Sequence, residues 1–374
     1  MNVSGAPRTG PVQIGLIGAG SVTDLYLPAL SEFPDVSVRI IGDMNRELAA
    51  ERAATYGIPE SGGPEDVLAC ADVEIVINVT PPQFHAQVSR SILDAGKNVY
   101  SEKPLAVDPD DGRALLDHAA ALGLVVASAP DITLNSAFQH SLRLLANGAI
   151  GTPVFARVEA VLAGPESWHP RPQFLYAKGA GPLFDIGPYF LTALIASLGP
   201  ITRVTARGTK KSETRVVGSG PMAGEEFPVE VPTLVVATLE FASGLSAQLL
   251  LTFDSASHRG GRMEIFGTEA TLQVPDPNGG ASESALLPGG GRTEWEPLPA
   301  LEGRVGFGLG VVNLARHLRG KEALVVEGRR ALHVVDLMTA ITRSMESGTA
   351  VELTTDYTGS PTLPQGWDPR VATL

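Results

Sequence analysis

The sequence predicts a doubly wound, parallel α/β sheet in the first third of the chain and an α+β domain in the remainder. Three observations carry this. From Val12 to about Pro130, short β-branched apolar runs alternate with helix-periodic segments, the pattern of strands buried on both faces and joined by crossover helices. After about residue 131 the alternation gives way to longer strand-like segments that include a hairpin. The length of 374 residues also exceeds the size at which a single core keeps growing, so two domains are expected. We place a loose tail at 1–10, the first domain at 11–132 and the second at 133–374.

The strands of the first domain are VQIGLIG (12–18), VSVRIIGD (36–43), VEIVINVT (73–80), KNVYSEK (97–103) and GLVVASAP (123–130). Between them NRELAAERAATYG, FHAQVSRSILDAG and DDGRALLDHAAALG are helix-periodic, and Gly57, Gly96 and Gly123 end them. A helix over about Ser136 to Asn147 opens the second domain, followed by PVFARVEAV (153–161), ITRVTARG, TLVVATLEF (233–241) and GLSAQLLLTF (244–253). The last two, joined through Ala242, Ser243 and Gly244, read as an antiparallel hairpin. Leu245, Ala247, Leu249, Leu251 and Phe253 alternate with Ser246, Gln248 and Thr252, so one sheet face is apolar and the other mixed, suited to a subunit interface. Segments 209–229 and 275–300, rich in Gly, Pro and Glu, read as loops. A last helix spans about 328–345.

In GPLFDIGPYFL (181–191) a helix starting near Gly187 would set Asp185 and Tyr189 on one side of its first turn. The opposite stripe, Ile186, Phe190, Leu194, Ile195 and Leu198, is apolar and would cover the sheet. The competing reading makes Asp185 an N-cap and Tyr189 a packing residue.

Composition narrows the function classes. Hydrophobic content of 44% and charged content of 18% are those of a globular chain. A net charge of -13 argues against nucleic acid or an anionic membrane as partner, both of which need a basic surface. Cys70 is the only cysteine, so no intrachain disulfide forms, and with no HxH or HExxH spacing no metal is expected. The first residues carry no long apolar h-region, and no apolar stretch reaches the roughly 18 to 20 residues that span a bilayer; a cytoplasmic protein is the expectation.

The chemistry begins where the first strand runs into GAGSVTDLYLPAL (18–30). Gly18 and Gly20 allow a tight turn and close approach of a pyrophosphate, with Ser21 and Val22 leading into the helix N-terminus that stabilises its charge. Thr23 stands at the third position of GxGxxG, so the motif draws its weight from the strand before it and the helix after it. Asp43, at the end of the second strand, would accept hydrogen bonds from the adenosine ribose and repel a 2′-phosphate, favouring NAD over NADP. Arg46 could soften that preference and leaves NADP open.

GLIGAGSV (15–22), TPPQFHA (80–86), AGKNVYSEKPLA (95–106), NGAIGTP (147–153), GAGPLFDIGPYF (179–190) and FGTEATLQV (266–274) together resemble the glucose-fructose oxidoreductase, inositol dehydrogenase and MocA (Gfo/Idh/MocA) family of nicotinamide-dependent oxidoreductases. The resemblance implies a Rossmann domain followed by a domain with a large open, mainly antiparallel sheet, through which members often associate as homodimers or homotetramers. It places Glu102 and Lys103 beside the nicotinamide, with the Lys103–Pro104 bond often cis, and it makes Thr80, Pro81, Pro82 and His85 the loop that supports the cofactor. In the family's D-x-G-x-H motif, Asp185 and Gly187 match, and Tyr189 replaces the histidine. A free phenol titrates near 10, about three units above neutrality, and a close Lys103 ammonium would lower that. Lys103, Asp185 and Tyr189 are thus the catalytic candidates: Tyr189 or Lys103 takes the hydroxyl proton as hydride leaves carbon, and Asp185 holds a substrate hydroxyl.

Upstream, GPESWHPRPQFLYAKG (164–179) gathers Trp168, His169, Phe174 and Tyr176. Such aromatic faces suit a polyhydroxylated ring and suit a neighbouring subunit equally. Asn135 is a further substrate candidate, while His140, His258 and His317 read as structural or solvent-facing. The leading expectation is an NAD-dependent dehydrogenase or reductase of a sugar, sugar derivative or cyclitol. A glycosidase-like cycle of oxidation, elimination and cofactor reset is the enzymatic alternative, and an NAD-binding regulator is the non-enzymatic one.

Overall fold

The computed structural model describes residues 9–279, 284–298 and 306–374. The first sheet is built from β1 (Val12–Ile17), β2 (Val36–Gly42), β3 (Glu60–Gly62), β4 (Ile75–Asn78), β5 (Asn98–Ser101) and β6 (Val126–Ser128), all parallel, in the order β3-β2-β1-β4-β5-β6. The order reverses between β1 and β4, the switch point outside which open α/β sheets bind ligands. Helices α1 (Thr23–Leu30), α2 (Arg46–Tyr56), α3 (Pro64–Ala69), α4 (His85–Asp94) and α5 (Pro109–Leu122) supply the crossovers. Asn45 caps α2 by accepting the Leu48 N–H, and Asp108 caps α5 by accepting the Asp110 N–H. Gly57 and Gly123 end the same two helices at φ 67° and 68°, in the left-handed region that favours glycine.

The sequence reading did not include β3 and α3. Glu60 and Ser61 are exposed, and a three-residue edge strand carries no hydrophobic period to read.

The second sheet follows α6 (Ser136–Ala146). Its strands are β7 (Pro153–Val161), then, after α7 (Gly181–Asp185) and α8 (Gly187–Leu198), β8 (Ile201–Thr209). The hairpin β9 (Thr214–Val216) and β10 (Glu226–Pro228) stands apart. Next come β11 (Leu234–Phe241), β12 (Ser246–Thr252), β13 (Gly260–Gly267), β14 (Ala270–Val274), β15 (Ala285–Pro288) and β16 (Glu296–Pro297). After α9 (Leu309–Leu318) and α10 (Gly328–Ser347), β17 (Val351–Glu352) completes a nine-stranded sheet in the order β16-β15-β14-β13-β7-β12-β11-β8-β17. Only β12 and β7 pair in parallel among its described strands. The segments read as loops thus contain β9, β10, β15 and β16, all short and stabilised by pairing that their composition does not announce.

The β11–β12 hairpin pairs Glu240 with Ser246 and Leu234 with Thr252. Ala247, Leu249, Leu251 and Phe253 are buried, while Ser246 and Gln248 are exposed. The apolar face is covered by α8: its Phe190 ring lies so close to the Gly261 backbone that a Cβ there would collide with it, and a Cβ on Gly187 would touch Leu251 at 3.5 Å.

By contacts the chain falls into two compact units. One holds the described part of the chain to Asn135 with that of Gly303–Val335 and with Ser360–Leu374; the other holds the described part of Ser136–Glu302 with Asp336–Gly359. The sequence reading drew a single boundary after residue 132. Instead α9 lies against the parallel sheet, burying Val311, Val312, Leu314 and Ala315 in the same core as Ile14, Leu16 and Ile77. The chain end is held there too: Arg316 Nε donates to Asp35 Oδ2 at 2.7 Å, and Asp35 also accepts from the Thr373 and Leu374 N–H groups at 2.8 and 3.0 Å.

Candidate functional site

The glycine turn after β1 has the shape that a pyrophosphate requires. Gly18 sits at φ 109°, and a Cβ there would lie 2.7 Å from the Val79 carbonyl oxygen, so neither the conformation nor the space admits a side chain. Around Gly20 a Cβ would meet nothing within 4 Å, so this face of the loop is open. Ser21 is exposed, Val22 half-buried, and α1 starts with no side chain capping its N–H groups, as an anion site at a helix N-terminus needs. These residues fit a dinucleotide.

Asp43 follows β2 directly. Its Oδ2 accepts the Ala19 N–H at 2.7 Å and its Oδ1 the Asn45 N–H at 2.8 Å. The carboxylate therefore braces the glycine loop, and with about four lone-pair sites it retains acceptor capacity for a ribose hydroxyl.

Asn78, at the end of β4, organises the next loop and was missed in the sequence. It is fully buried, donates to the His85 carbonyl and to Ser89 Oγ at 3.0 Å each, and accepts the Thr80 hydroxyl at 2.7 Å. A lone amide closing the apolar run IVIN is the signal that could have found it, because buried amides require partners. His85 is buried too, with Nδ1 2.6 Å from the Pro104 carbonyl and Nε2 2.7 Å from the Thr80 carbonyl. It thus ties the Thr80–Pro81–Pro82 loop, whose prolines are exposed, to the turn after Lys103.

Lys103 is half-buried at the C-terminal end of β5, and the Lys103–Pro104 bond is cis. Beside it Glu102 Oε2 accepts the Lys103 N–H at 2.9 Å and Oε1 the Tyr26 hydroxyl at 2.7 Å. Behind this lies Tyr100, whose hydroxyl donates to Asp131 Oδ1. Burial pushes the Asp131 carboxyl up to about 6, against the Tyr100, Gly310 and Gly308 hydrogen bonds that favour its charge. Asn135, on the same unit, is buried.

In the other unit Asp185 ends α7 and Tyr189 lies in the first turn of α8; both are half-buried while Ile186, Gly187, Pro188 and Phe190 around them are buried. Tyr189 thus lies in the first turn of a packed helix that starts at Gly187, as the sequence predicts, whereas Asp185 is not in that turn but ends the preceding short helix, because the chain breaks at Ile186 between the two. Trp168 and Phe174 are 67% and 59% exposed and flank His169 edge-to-face at 5.4 and 5.3 Å. Tyr176 differs from expectation. It is wholly buried, its hydroxyl donates to Glu166, and the Arg215 guanidinium stacks over its ring at 5.2 Å, so it is a core residue rather than an aromatic face offered to a ligand. Arg215 bridges Glu166 and Asp254 and so ties β9 to the aromatic loop.

His258 is exposed, and His317 Nδ1 faces the Glu322 carbonyl. Burial and Arg143 lower His140. Among the described residues no group of three or more His, Cys, Asp or Glu could hold a metal ion, and no helix is long and apolar enough to cross a membrane.

Residues 12–129 match an oxidoreductase family profile described as an NAD-binding Rossmann fold, and residues 138–273 match the GFO/IDH/MocA C-terminal domain. Similar proteins include a dTDP-3,4-didehydro-2,6-dideoxy-alpha-D-glucose 3-reductase of Streptomyces violaceoruber, 28% identical over 73% of this chain and 75% of the relative. The D-glucoside 3-dehydrogenase of Escherichia coli K12 is 25% identical over 93% and 99%. Among solved structures, levoglucosan dehydrogenase in complex with NADH and L-sorbose shares the fold at a TM-score of 0.77 and 20% identity, over 93% of this chain and all of that one. With both domains matched in order along the chain, this chain is a member of the Gfo/Idh/MocA family, an oxidoreductase with an NAD-binding Rossmann domain.

Proposed function

We propose that this enzyme transfers hydride between NAD(H) and a secondary alcohol or ketone of a sugar, sugar derivative or cyclitol. The observation that carries it is the alignment of Gly20, Asp43 and Lys103 at the C-terminal ends of parallel strands, where open α/β sheets take their ligands. The names of the relatives, a dTDP-sugar reductase and a glucoside dehydrogenase, support the substrate class. When bound, NAD accepts or returns the hydride at its nicotinamide.

The chain's own groups position substrate and move the proton. Lys103, held by its N–H on Glu102, presents an ammonium that anchors a substrate hydroxyl. The proton of the reacting hydroxyl goes to Tyr189 as phenolate, with the Lys103 ammonium as anchor, or to Lys103 in its neutral amine form, and Asp185 accepts from a neighbouring hydroxyl and orients the carbon. Trp168 and Phe174 offer faces for the C–H side of the ring. The mixed, exposed sheet face, with Phe155 and Val236 on it, supports association of copies into a homodimer or homotetramer.

The test is NADH formation by purified enzyme with a panel of sugars, cyclitols and aryl glycosides. We expect turnover of a sugar or polyol, lowered by about 10²- to 10⁴-fold in Lys103→Ala and in the weaker-acting of Tyr189→Phe and Asp185→Asn by at least about tenfold. Cleavage of aryl glycosides without net NADH would overturn the reading.

A further inference from the structure

We infer that Glu65 and Asp66 set the preference for NAD over NADP by holding Arg46 away from a 2′-phosphate. The inference rests on the reading of Asp43 as the ribose-binding acid. Arg46 opens α2 three residues after Asp43. A free guanidinium at that place would be a good ligand for a 2′-phosphate, bidentate and permanently charged.

It is not free. One guanidinium nitrogen donates to Asp66 Oδ2 at 2.9 Å, and the other is paired with Glu65. The two carboxylates are carried to this spot by the turn that sequence reading left unassigned. Asp43 N–H donates to the Gly62 carbonyl at 3.1 Å, and a Cβ on Gly42 would lie 2.6 Å from the Gly63 oxygen, so the Gly62–Gly63 turn runs against the end of β2. Asp66 folds back over that turn and accepts the Gly63 N–H at 2.8 Å. Glu65 and Asp66 thus hold the Arg46 guanidinium, while Asp43 at the end of β2 is bonded to the Ala19 and Asn45 N–H groups, so three carboxylates accompany one guanidinium between β2 and α3. A 2′-phosphate would have to draw Arg46 off two carboxylates and then lie beside them. Two ribose hydroxyls meet no such obstacle.

The experiment is equilibrium titration of NAD+, NADP+ and 2′,5′-ADP by calorimetry at low ionic strength, where surface charges are least screened. Glu65→Gln with Asp66→Asn keeps an acceptor for the Gly63 N–H and removes both charges. We expect this double variant to bind NADP+ and 2′,5′-ADP at least about tenfold tighter than the wild type, with NAD+ affinity within about twofold. Adding Arg46→Ala should cancel the gain. An unchanged NADP+ affinity in the double variant overturns the inference, as does a gain that survives Arg46→Ala. If Asp43→Asn alone admits NADP+ while the double variant does not, Asp43 sets the preference by itself and the cofactor reading stands. Wild type that binds no NAD+ would sink that reading and this one with it.

Discussion

Tyr26 and Glu102, 76 positions apart, share a buried hydrogen bond of 2.7 Å, and through Glu102 the first helix of the chain sets the position of Lys103. Burial first, and the Glu102 charge second, hold the Tyr26 phenol far above its usual range, so it stays a donor at any working pH. Replacing it by Phe leaves a buried carboxylate oxygen without that partner, at a cost of about 1–3 kcal/mol. We expect Tyr26→Phe to lower kcat by roughly tenfold while the Kd for NAD+ changes little. Equal loss of both would mean that the bond serves folding alone.

Gly18→Ala places a methyl group against the Val79 carbonyl in a backbone conformation that L side chains rarely adopt. We expect NAD+ binding to be lost with an unfolding cost of about 1–3 kcal/mol. Gly20→Ala, whose Cβ would meet open space, should fold as the wild type does and weaken only NAD+ binding, as a paired calorimetric and thermal-melt comparison would reveal.

Two buried acids should impose opposite pH dependences on stability. Asp131 has a folded pKa raised to about 6 from 3.8. Its contribution is therefore complete below its unfolded pKa and is lost as pH rises through about 6, on the order of 3 kcal/mol. Asp131→Asn should flatten that decline, read as the wild-type minus variant difference in urea midpoints between acid and neutral pH. A difference that does not vary with pH would refute the assignment.

At Asp35 burial alone would raise the pKa, but the Thr373 backbone and hydroxyl and the Arg316 guanidinium outweigh it and hold the carboxyl below its ordinary value. Its contribution is present above the unfolded pKa and fades as pH falls through the folded one. Asp35→Ala leaves Arg316 buried with its charge uncompensated, so we expect a loss of about 3–5 kcal/mol at neutral pH. Limited proteolysis should then cut the C-terminal residues first; a C-terminus as resistant as the wild type's would contradict this.

Phe155 is 43% exposed on the open sheet face and stacks on Phe266 at 4.1 Å. If copies associate through this face, Phe155→Asp should reduce the mass measured by light scattering to that of one chain, 39.1 kDa. An unchanged multimer would place the interface elsewhere.

Much of this molecule is legible in its sequence because the information is local. IVIN declares its strand by a continuous apolar run and GLSAQLLLTF by alternation, Gly57 and Gly123 end helices by conformation, and Gly18, Gly20 and Asp43 mark a dinucleotide turn by spacing. The start of α8 at Gly187 and the place of Tyr189 in its first turn are legible too, whereas the separate helix that Asp185 ends is not. What depends on partners far along the chain is silent there. Burial of Tyr176 is decided by Glu166 and Arg215, the role of Asn78 by the Thr80 loop, the pairing of Arg46 by a turn some 20 residues on, and the place of α9 by a core begun some 300 residues earlier. Periodicity reports which face of an element is apolar; only the folded chain decides which charges and hydrogen-bonding groups meet, because their energy lies in distances that no local pattern encodes.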